Sequence, residues 1–322
     1  LNISPWRPTR GKVVKMFCTI THPDGTPFAM DTRSILKRAI DDAAALGYQV
    51  SFGSEFEFYL FKTDESGNPT AEPFDQAGYM DVAPEDKGEN VRREICLNLL
   101  DMGIQPESSH HEEGPGQNEI DFRYSDAMSA ADNAMHFKTV VKTAALRNGL
   151  YADFSPKPIP GQAGNGMHIN MSVKCSDGTD KSEAFLAGVL AHVREITAFL
   201  NPTEESYRRF GEMKAPRYIT WSPENRSQLI RIPAAKGEYR RIELRSPDPT
   251  ANPYLAYALL IHAGLDGIQK GMLPPQPVNE NLYTAPRSLT DALEQLPSSL
   301  TEAKQIARSS PFVTAILPEA ML

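Results

Sequence analysis

The sequence predicts an α+β fold, with helices packed behind a sheet whose open face carries acids, imidazole and arginines. Two patterns predict it. Five segments repeat apolar residues at i, i+3/i+4, the spacing of one helix face, and four others alternate apolar with charged residues, the spacing of a strand with two unlike faces. The chain has 322 residues, of which 40% are hydrophobic, enough to build a substantial core.

The helical spacing covers roughly 32–46, 87–102, 131–148, 182–200 and 253–270. Gly47, Gly103 and Gly149 follow the first three as C-terminal stops, Asn201-Pro202 closes the fourth, and Ser182 is the expected cap at its start. The loops "SPKPIPGQAGNG" and "MLPPQPVNENLY" are rich in Pro and Gly without being low in complexity, and no internal repeat is present. Beyond Thr284 the pattern breaks into short helical pieces interrupted at Pro297 and Pro311.

Composition narrows the classes of function. No run nears the ~18 consecutive apolar residues of a membrane span, and "LNISPWRPTRGK" lacks the apolar core of a signal peptide. Cys18, Cys96 and Cys175 are scattered, with neither a disulfide framework nor a CxxC spacing, so a reducing cytoplasm is expected. A net charge of −8 argues against nucleic acid as the partner. The first residue is not Met, and Leu1 is expected to be an internal start.

The stretch "FGSEFEFYLF" puts Glu55, Glu57, Tyr59 and Phe61 on one strand face and Phe56, Phe58 and Leu60 on the other, so two acids sit about 7 Å apart. An isolated pair like this is ordinarily a solvated face. Three further strands change that reading. "NEIDFRY" sets Glu119, Asp121 and Arg123 on one face and follows "HHEEGPGQ", which brings Glu112; "GMHINMSV" aligns His168, Asn170 and Ser172; "RRIELRS" aligns Arg241, Glu243 and Arg245. Gathered in one sheet, these faces line a common cavity. Carboxylates collected there repel one another and resist losing water, so they need protons or a counter-charge. Hard oxygen donors favour Mg²⁺ or Mn²⁺, and one imidazole makes Mn²⁺ more welcome. Arg226 and Arg231 in "NRSQLIRIP", with Arg245, add planar donors suited to phosphate or carboxylate, and metals beside arginines suggest phosphoryl transfer. "GQAGNGMH" is no Walker A motif, since it lacks GK[ST].

Over nearly its whole length the chain resembles the catalytic portion of type I glutamine synthetase. "EFEFYLF" resembles that family's paired-glutamate strand, "HHEEGPGQNEIDF" its HHE…GQxE segment, "GNGMH" its GSGMH loop, "NRSQLIRIP" its arginine strand, and "RIELRSPDPTANPYLA" its R-x-E-x-R signature with PDPxANPY, all in the same order. The resemblance implies a catalytic domain whose antiparallel sheet forms a funnel, here residues 27–322. It implies that residues 1–26 are the last part of a small N-terminal domain, and that the chain stops before the usual C-terminal helices. By the same resemblance, Glu57, Glu112 and Glu119 would hold one metal, and Glu55, His168 and Glu243 a second beside the nucleotide phosphates. Glu107, Tyr124, Asn170 and Ser172 match nucleotide positions, Gly164, Arg209 and Arg245 amino-acid positions, and Arg226 and Arg231 the arginines on the transferring phosphate. The implied reaction joins glutamate to ammonia with ATP through an acyl phosphate, in the cytoplasm, with two or more Mg²⁺ or Mn²⁺ per site. The implied assembly is a ring of six subunits, with a dodecamer as the expected oligomer.

Two departures from the family pattern bear on the amine. Ala163 stands where the family has a substrate-contacting Asn, and "GEMKAP" places Lys214 where the family flap carries a Glu, with Glu212 two residues earlier as the alternative acid. Glu238 also replaces a common Lys, with Lys236 nearby. Three activities are therefore weighed: a glutamate–ammonia ligase, a ligase joining a carboxylate to another amine, and a weakly active ring-forming regulatory homologue.

Overall fold

The computed structural model describes the chain except residues 1, 7–12, 235–236 and 238–239, so Lys236 and Glu238 lie outside the described residues. Strands β1 (Asn2–Ile3) and β2 (Val14–Lys15) pair antiparallel in a small sheet of their own. Then follow α1 (Thr32–Ala45), β3 (Tyr48–Thr63), β4 (Pro69–Pro73), α2 (Glu89–Asp101), β5 (Pro106–His111), β6 (Gln117–Phe122), β7 (Ser125–Asp126), α3 (Ala127–Arg147), β8 (Leu150–Asp153) and β9 (Met167–Cys175). The rest comprises α4 (Ser182–Leu200), β10 (Trp221–Pro223), β11 (Ile230–Ile232), β12 (Ile242–Leu244), α5 (Pro253–Gln269) and the short α6 (Arg287–Thr290), α7 (Leu300–Ser309) and α8 (Pro311–Ile316).

Among the described residues, ten strands form one sheet in the order β10-β11-β12-β9-β3-β6-β5, with β4, β7 and β8 also on β3. All its pairings are antiparallel except β10 with β11, as the expected α+β fold requires. β3 is the spine. Its 16 residues, about 50 Å of extended chain, pair in succession with β9, β6, β8 and β4.

Alternation decides which face of β3 turns inward. Val50, Phe52, Phe56, Phe58 and Leu60 are buried beneath the helices. Phe52 stacks on Tyr257 of α5 with centroids 4.2 Å apart, and Phe56 stacks on Phe137 of α3 at 5.0 Å. Ser54 falls on the same face, and its hydroxyl is satisfied by the Tyr257 hydroxyl at 2.6 Å. The opposite face carries Glu55 and Glu57.

The helices begin and end close to where the spacing places them. Gly47, Gly103 and Gly149 take left-handed φ of 81°, 79° and 69° after α1, α2 and α3. Ser182 does not cap α4. Lys181 stands at the cap with no side-chain bond, and Asp180 Oδ1 instead accepts the Ser182 N–H at 2.9 Å. The expected pieces after Thr284 are α6, α7 and α8, the last starting at Pro311 under a Ser310 cap.

Helices α4 and α5 meet backbone to backbone. A Cβ at Gly188 would lie 2.1 Å from the Ala263 carbonyl oxygen, and one at Gly267 2.2 Å from that of Ala184, so neither contact is relieved by a side-chain rotation. Gly188→Ala should therefore push the helices apart and destabilise the fold by about 1–3 kcal/mol. Thermal melting checks this. A Tm equal to or above the parent's, as alanine's better helix propensity alone would give, contradicts it.

Candidate active site: an acidic cavity flanked by arginines

Strand register assembles the site. Glu55 of β3 lies opposite Asp121 of β6 on one side and His168 of β9 on the other, Glu57 opposite Glu119, Glu243 of β12 opposite Asn170, and Arg231 of β11 opposite Glu243. The polar faces of five adjacent strands thus converge on a cavity of about 280 Å³ whose lining includes Glu55, Glu57, Glu112, Glu119, Asp121 and His168. Arg209, Arg226, Arg231, Arg245, Gly164 and Lys214 line it too. A second cavity of about 110 Å³ adjoins it along β3 and is lined by Glu107, Tyr124, Asn170 and Ser172, with Glu55 and Asp121 on both.

Donor atoms of Glu55, His168 and Glu243, the expected second metal triad, lie within 4.8 Å of one another. The first triad is brought together less directly. Glu119 joins Glu57 and His168 in one such group and His110 and Glu112 in another, so Glu119 links the two halves.

The carboxylates differ in how far their charge is offset. Glu243 is fully buried and is gripped by Arg231 Nη2 at 2.5 Å on Oε2 and by Arg245 Nη1 at 2.5 Å on Oε1. Burial would raise the Glu55 pKa, but the His168 hydrogen bond at 3.0 Å and Asn170 Nδ2 at 2.8 Å bring it below its usual value. Glu112 is likewise lowered against burial by His110 and Lys214. Glu57 Oε2 accepts the Gly166 N–H at 2.7 Å and Gln117 Nε2 at 3.3 Å, yet burial leaves its pKa raised. Glu119 and Asp121 are pushed well up by burial and then by neighbouring carboxylates, and Asp121 Oδ1 is buried without a partner. The β6 side of the cavity is therefore short of positive charge, which fits a divalent cation held by hard oxygen donors.

Local structure fixes these side chains. Gly166 is needed because a Cβ would meet His168 Nε2 at 2.8 Å and Glu57 Oε1 at 3.3 Å, and Gly164 because one would meet the Pro156 carbonyl oxygen at 2.5 Å. Beneath Glu112, His111 donates to the Glu112 carbonyl oxygen at 2.7 Å and to Asp75 Oδ1 at 2.9 Å. Burial opposes the imidazolium, but these acceptors outweigh it and hold the His111 pKa above its usual value. The nearby Asp86 is already paired with Arg92 at 2.5 Å.

Two of the arginines carry unpaired donors. Arg209 Nε and Arg245 Nε are buried with no hydrogen-bond partner. Arg226 reaches the Tyr79 hydroxyl at 3.4 Å.

Glu212 is not brought to the cavity. It pairs with Lys157 at 3.2 Å, its side chain 61% exposed, while Lys214 turns inward. Asn165 does not replace the side chain missing at Ala163, because its Nδ2 is committed to the carbonyl oxygens of Asp153 and Ser155 at 3.2 and 2.9 Å. Sequence reading assigned no role to Asp121, Gln117, Glu113 or Tyr79. Asp121 was visible on the acidic face of "NEIDFRY"; the other three owe their places to loop packing or to a hydrogen-bond network.

Sheet and site together define an α+β domain with a carboxylate-lined cavity flanked by arginines. The chain belongs to the glutamine synthetase family: the model of the glutamine synthetase catalytic domain matches residues 29–322. It is 48% identical over 316 residues to a glutamine synthetase of Clostridium saccharobutylicum, covering 94% of this chain and 71% of the relative. It is 45% identical over 333 aligned positions to one of Methanosarcina mazei, covering 98% and 74%. Among solved structures, GmaS in complex with ADP superposes with a TM-score of 0.83 at 33% identity, covering 92% of this chain and 72% of that one. The fold also matches Plasmodium falciparum glutamine synthetase, with a TM-score of 0.80 at 24% identity over 94% and 76% of the two chains.

The raised carboxyl groups give a pH signature. Glu57, Glu119 and Asp121 have folded pKa values above the unfolded ones, so their contribution favours the cation-free fold below about pH 4 and is lost as pH rises through the folded values. A bound cation removes this penalty. Mn²⁺ should therefore release protons on binding and raise Tm more at pH 8 than at pH 6. Calorimetry in buffers of different ionisation enthalpy checks the first and melting curves the second; proton-neutral binding with an equal Tm gain at both pH values contradicts the assignment.

Proposed function

We propose that this chain is an ATP-dependent ligase that forms glutamine from glutamate and ammonia through a γ-glutamyl phosphate. Its family supports this reading, and the cavity's pairing of carboxylates with anion donors carries it. Buried guanidinium N–H groups with no partner are rare, and Arg209 and Arg245, which both line this cavity, each carry one. They fit the carboxylate of an amino-acid substrate, with Gly164 leaving room beside Arg209 because it carries no side chain.

Glu55, His168 and Glu243 would hold one Mg²⁺ or Mn²⁺, and Glu57, Glu112 and Glu119 another. The bound ions supply charge neutralisation for the nucleotide phosphates. Arg226 and Arg231 line the same cavity and suit the equatorial oxygens of a transferring phosphoryl group. Glu107, Tyr124, Asn170 and Ser172 shape the adjoining cavity for the nucleotide, which would place its phosphates towards Glu55. Catalysis then rests on positioning and on fixed charge rather than on covalent chemistry by the protein.

We further propose a cytoplasmic homo-oligomer built from rings of six, with residues 1–26 as the end of a small N-terminal domain and 27–322 as the catalytic domain. Support for that boundary comes from β1 and β2, which pair apart from the ten-stranded sheet. Among the described residues no helix is long and apolar enough to cross a membrane.

Incubating the protein with ATP, Mg²⁺, glutamate and ammonium should yield ADP and glutamine in equal amounts, read by mass spectrometry. A parallel panel of primary amines separates ammonia from other acceptors. ADP without amide, or amide formed only from another amine, contradicts the reading. Arg209→Lys, which keeps charge but loses the planar fork, should raise the glutamate KM roughly 10- to 100-fold and move the ATP KM far less. An unchanged glutamate KM contradicts the role given to Arg209.

A further inference from the structure

Arg209 rests on a partner that does not neutralise it. Its Nη1 donates to the Ser246 carbonyl oxygen at 3.1 Å, its Nε is buried without a partner, and the residue is 2% exposed. Burial pushes its pKa below the usual value, opposed first by Asp248 and then by Glu57. Asp248 is fully buried, so a direct pair between it and Arg209 would be a strong, charge-assisted contact. Asp248 is engaged elsewhere. Its Oδ1 accepts the Thr250 N–H at 3.0 Å and the Thr250 hydroxyl, and its Oδ2 accepts Asn201 Nδ2 at 3.0 Å.

Asn201 stands between the two. It is the cap residue at the end of α4, fully buried, with its N–H bonded to the Thr197 carbonyl oxygen at 2.8 Å. A 3₁₀ turn over Glu204–Arg208, closed at its start by a capping box of Thr203 and Ser206, then leads to Arg209. Asn201 Nδ2 donates both its protons: one to the Ser246 carbonyl oxygen at 2.8 Å, the same atom that Arg209 binds, and one to Asp248 Oδ2. The amide turned over would set its oxygen against a carbonyl oxygen and a carboxylate, so chemistry dictates this orientation. Its own Oδ1 is buried without a partner, so the amide gives up one bond to hold both acceptors.

We propose that Asn201 is a positioning residue for the amino-acid substrate: it ties down the Asp248 carboxylate and anchors the Ser246 carbonyl, so that Arg209 stays on a neutral acceptor and keeps its charge for the substrate carboxylate. Without the amide, Asp248 Oδ2 loses its donor and takes Arg209 as the replacement, because a buried carboxylate left short of a hydrogen bond costs more than a shifted guanidinium. The consequence for substrate rests on the ligase reading. The pairing of Arg209 with Asp248 does not.

Two readouts test this role. In a crystal structure of Asn201→Ala without substrate, the Arg209 guanidinium should leave the Ser246 carbonyl and pair with Asp248. In amide synthesis the same variant should raise the glutamate KM roughly 10- to 100-fold and move the ATP KM by less than about twofold. Adding Asp248→Asn to Asn201→Ala removes the competing carboxylate and should bring the glutamate KM back to within roughly threefold of the parent's. A residue that only fills the core gives the opposite, a double variant worse than the single one. Asn201→Ser, too short to hold both acceptors, is read in the same way if the alanine variant does not fold. Arg209 still on the Ser246 carbonyl, an unchanged glutamate KM, or a double variant no better than the single one overturns the proposal. Failure of the ligase reading looks different: the parent forms no amide from glutamate, while Arg209 still moves to Asp248 in the variant crystal.

Discussion

The organisation of this protein depends on one electrostatic constraint, the gathering of carboxylates on a sheet face with little water to screen them. Two like charges 4 Å apart repel by about 4 kcal/mol at the effective dielectric of a protein site. The chain meets that repulsion unevenly. Glu243 is neutralised by two arginines and Glu55 is held low by hydrogen bonds with His168 and Asn170, while Glu57, despite a backbone N–H and Gln117, is left with a raised pKa, as are Glu119 and Asp121. The imbalance leaves the β6 side of the cavity short of positive charge. It also ties the arginines to the acids: a cation arriving at Glu243 would compete with Arg231 and Arg245 and free guanidinium donors for an anion.

Such a cluster needs a stiff frame, because its members would separate if the backbone gave way. β3 provides it. One face of this strand is locked under α3 and α5 by stacked aromatics, so the opposite face cannot turn its acids to solvent without unpacking the core. Close approach of glycines extends the same rigidity, at Gly188 and Gly267 between α4 and α5 and at Gly166 between His168 and Glu57.

Much of this was legible in the sequence because it is local. Alternation in β3, β6, β9 and β12 exposed the acidic and basic faces, and the helical spacing located α1 to α5 to within a few residues. The family resemblance then assigned residues to two metal triads, and the fold brings all six into one neighbourhood. What could not be read was set by contacts between distant segments. Tyr79 and Glu113 come from loops without periodicity and meet Lys214 only through tertiary packing. The outward course of Glu212 follows from left-handed φ values at Met213 and Lys214, which their residue types do not announce. Gln117 lies within a motif, yet its bonds to the Gly164 carbonyl and Asn165 depend on a loop some 47 residues away in sequence, and its bond to Glu57 on β3.

The central claim is that the two acids of one strand face serve two different cations, Glu55 one and Glu57 the other. Anomalous diffraction from crystals grown with Mn²⁺ tests it most directly. The account predicts two separate peaks, one among Glu55, His168 and Glu243 and one among Glu57, Glu112 and Glu119, with Glu57→Gln weakening only the second. A single peak shared by Glu55 and Glu57, or none in the cavity at saturating Mn²⁺, would contradict it.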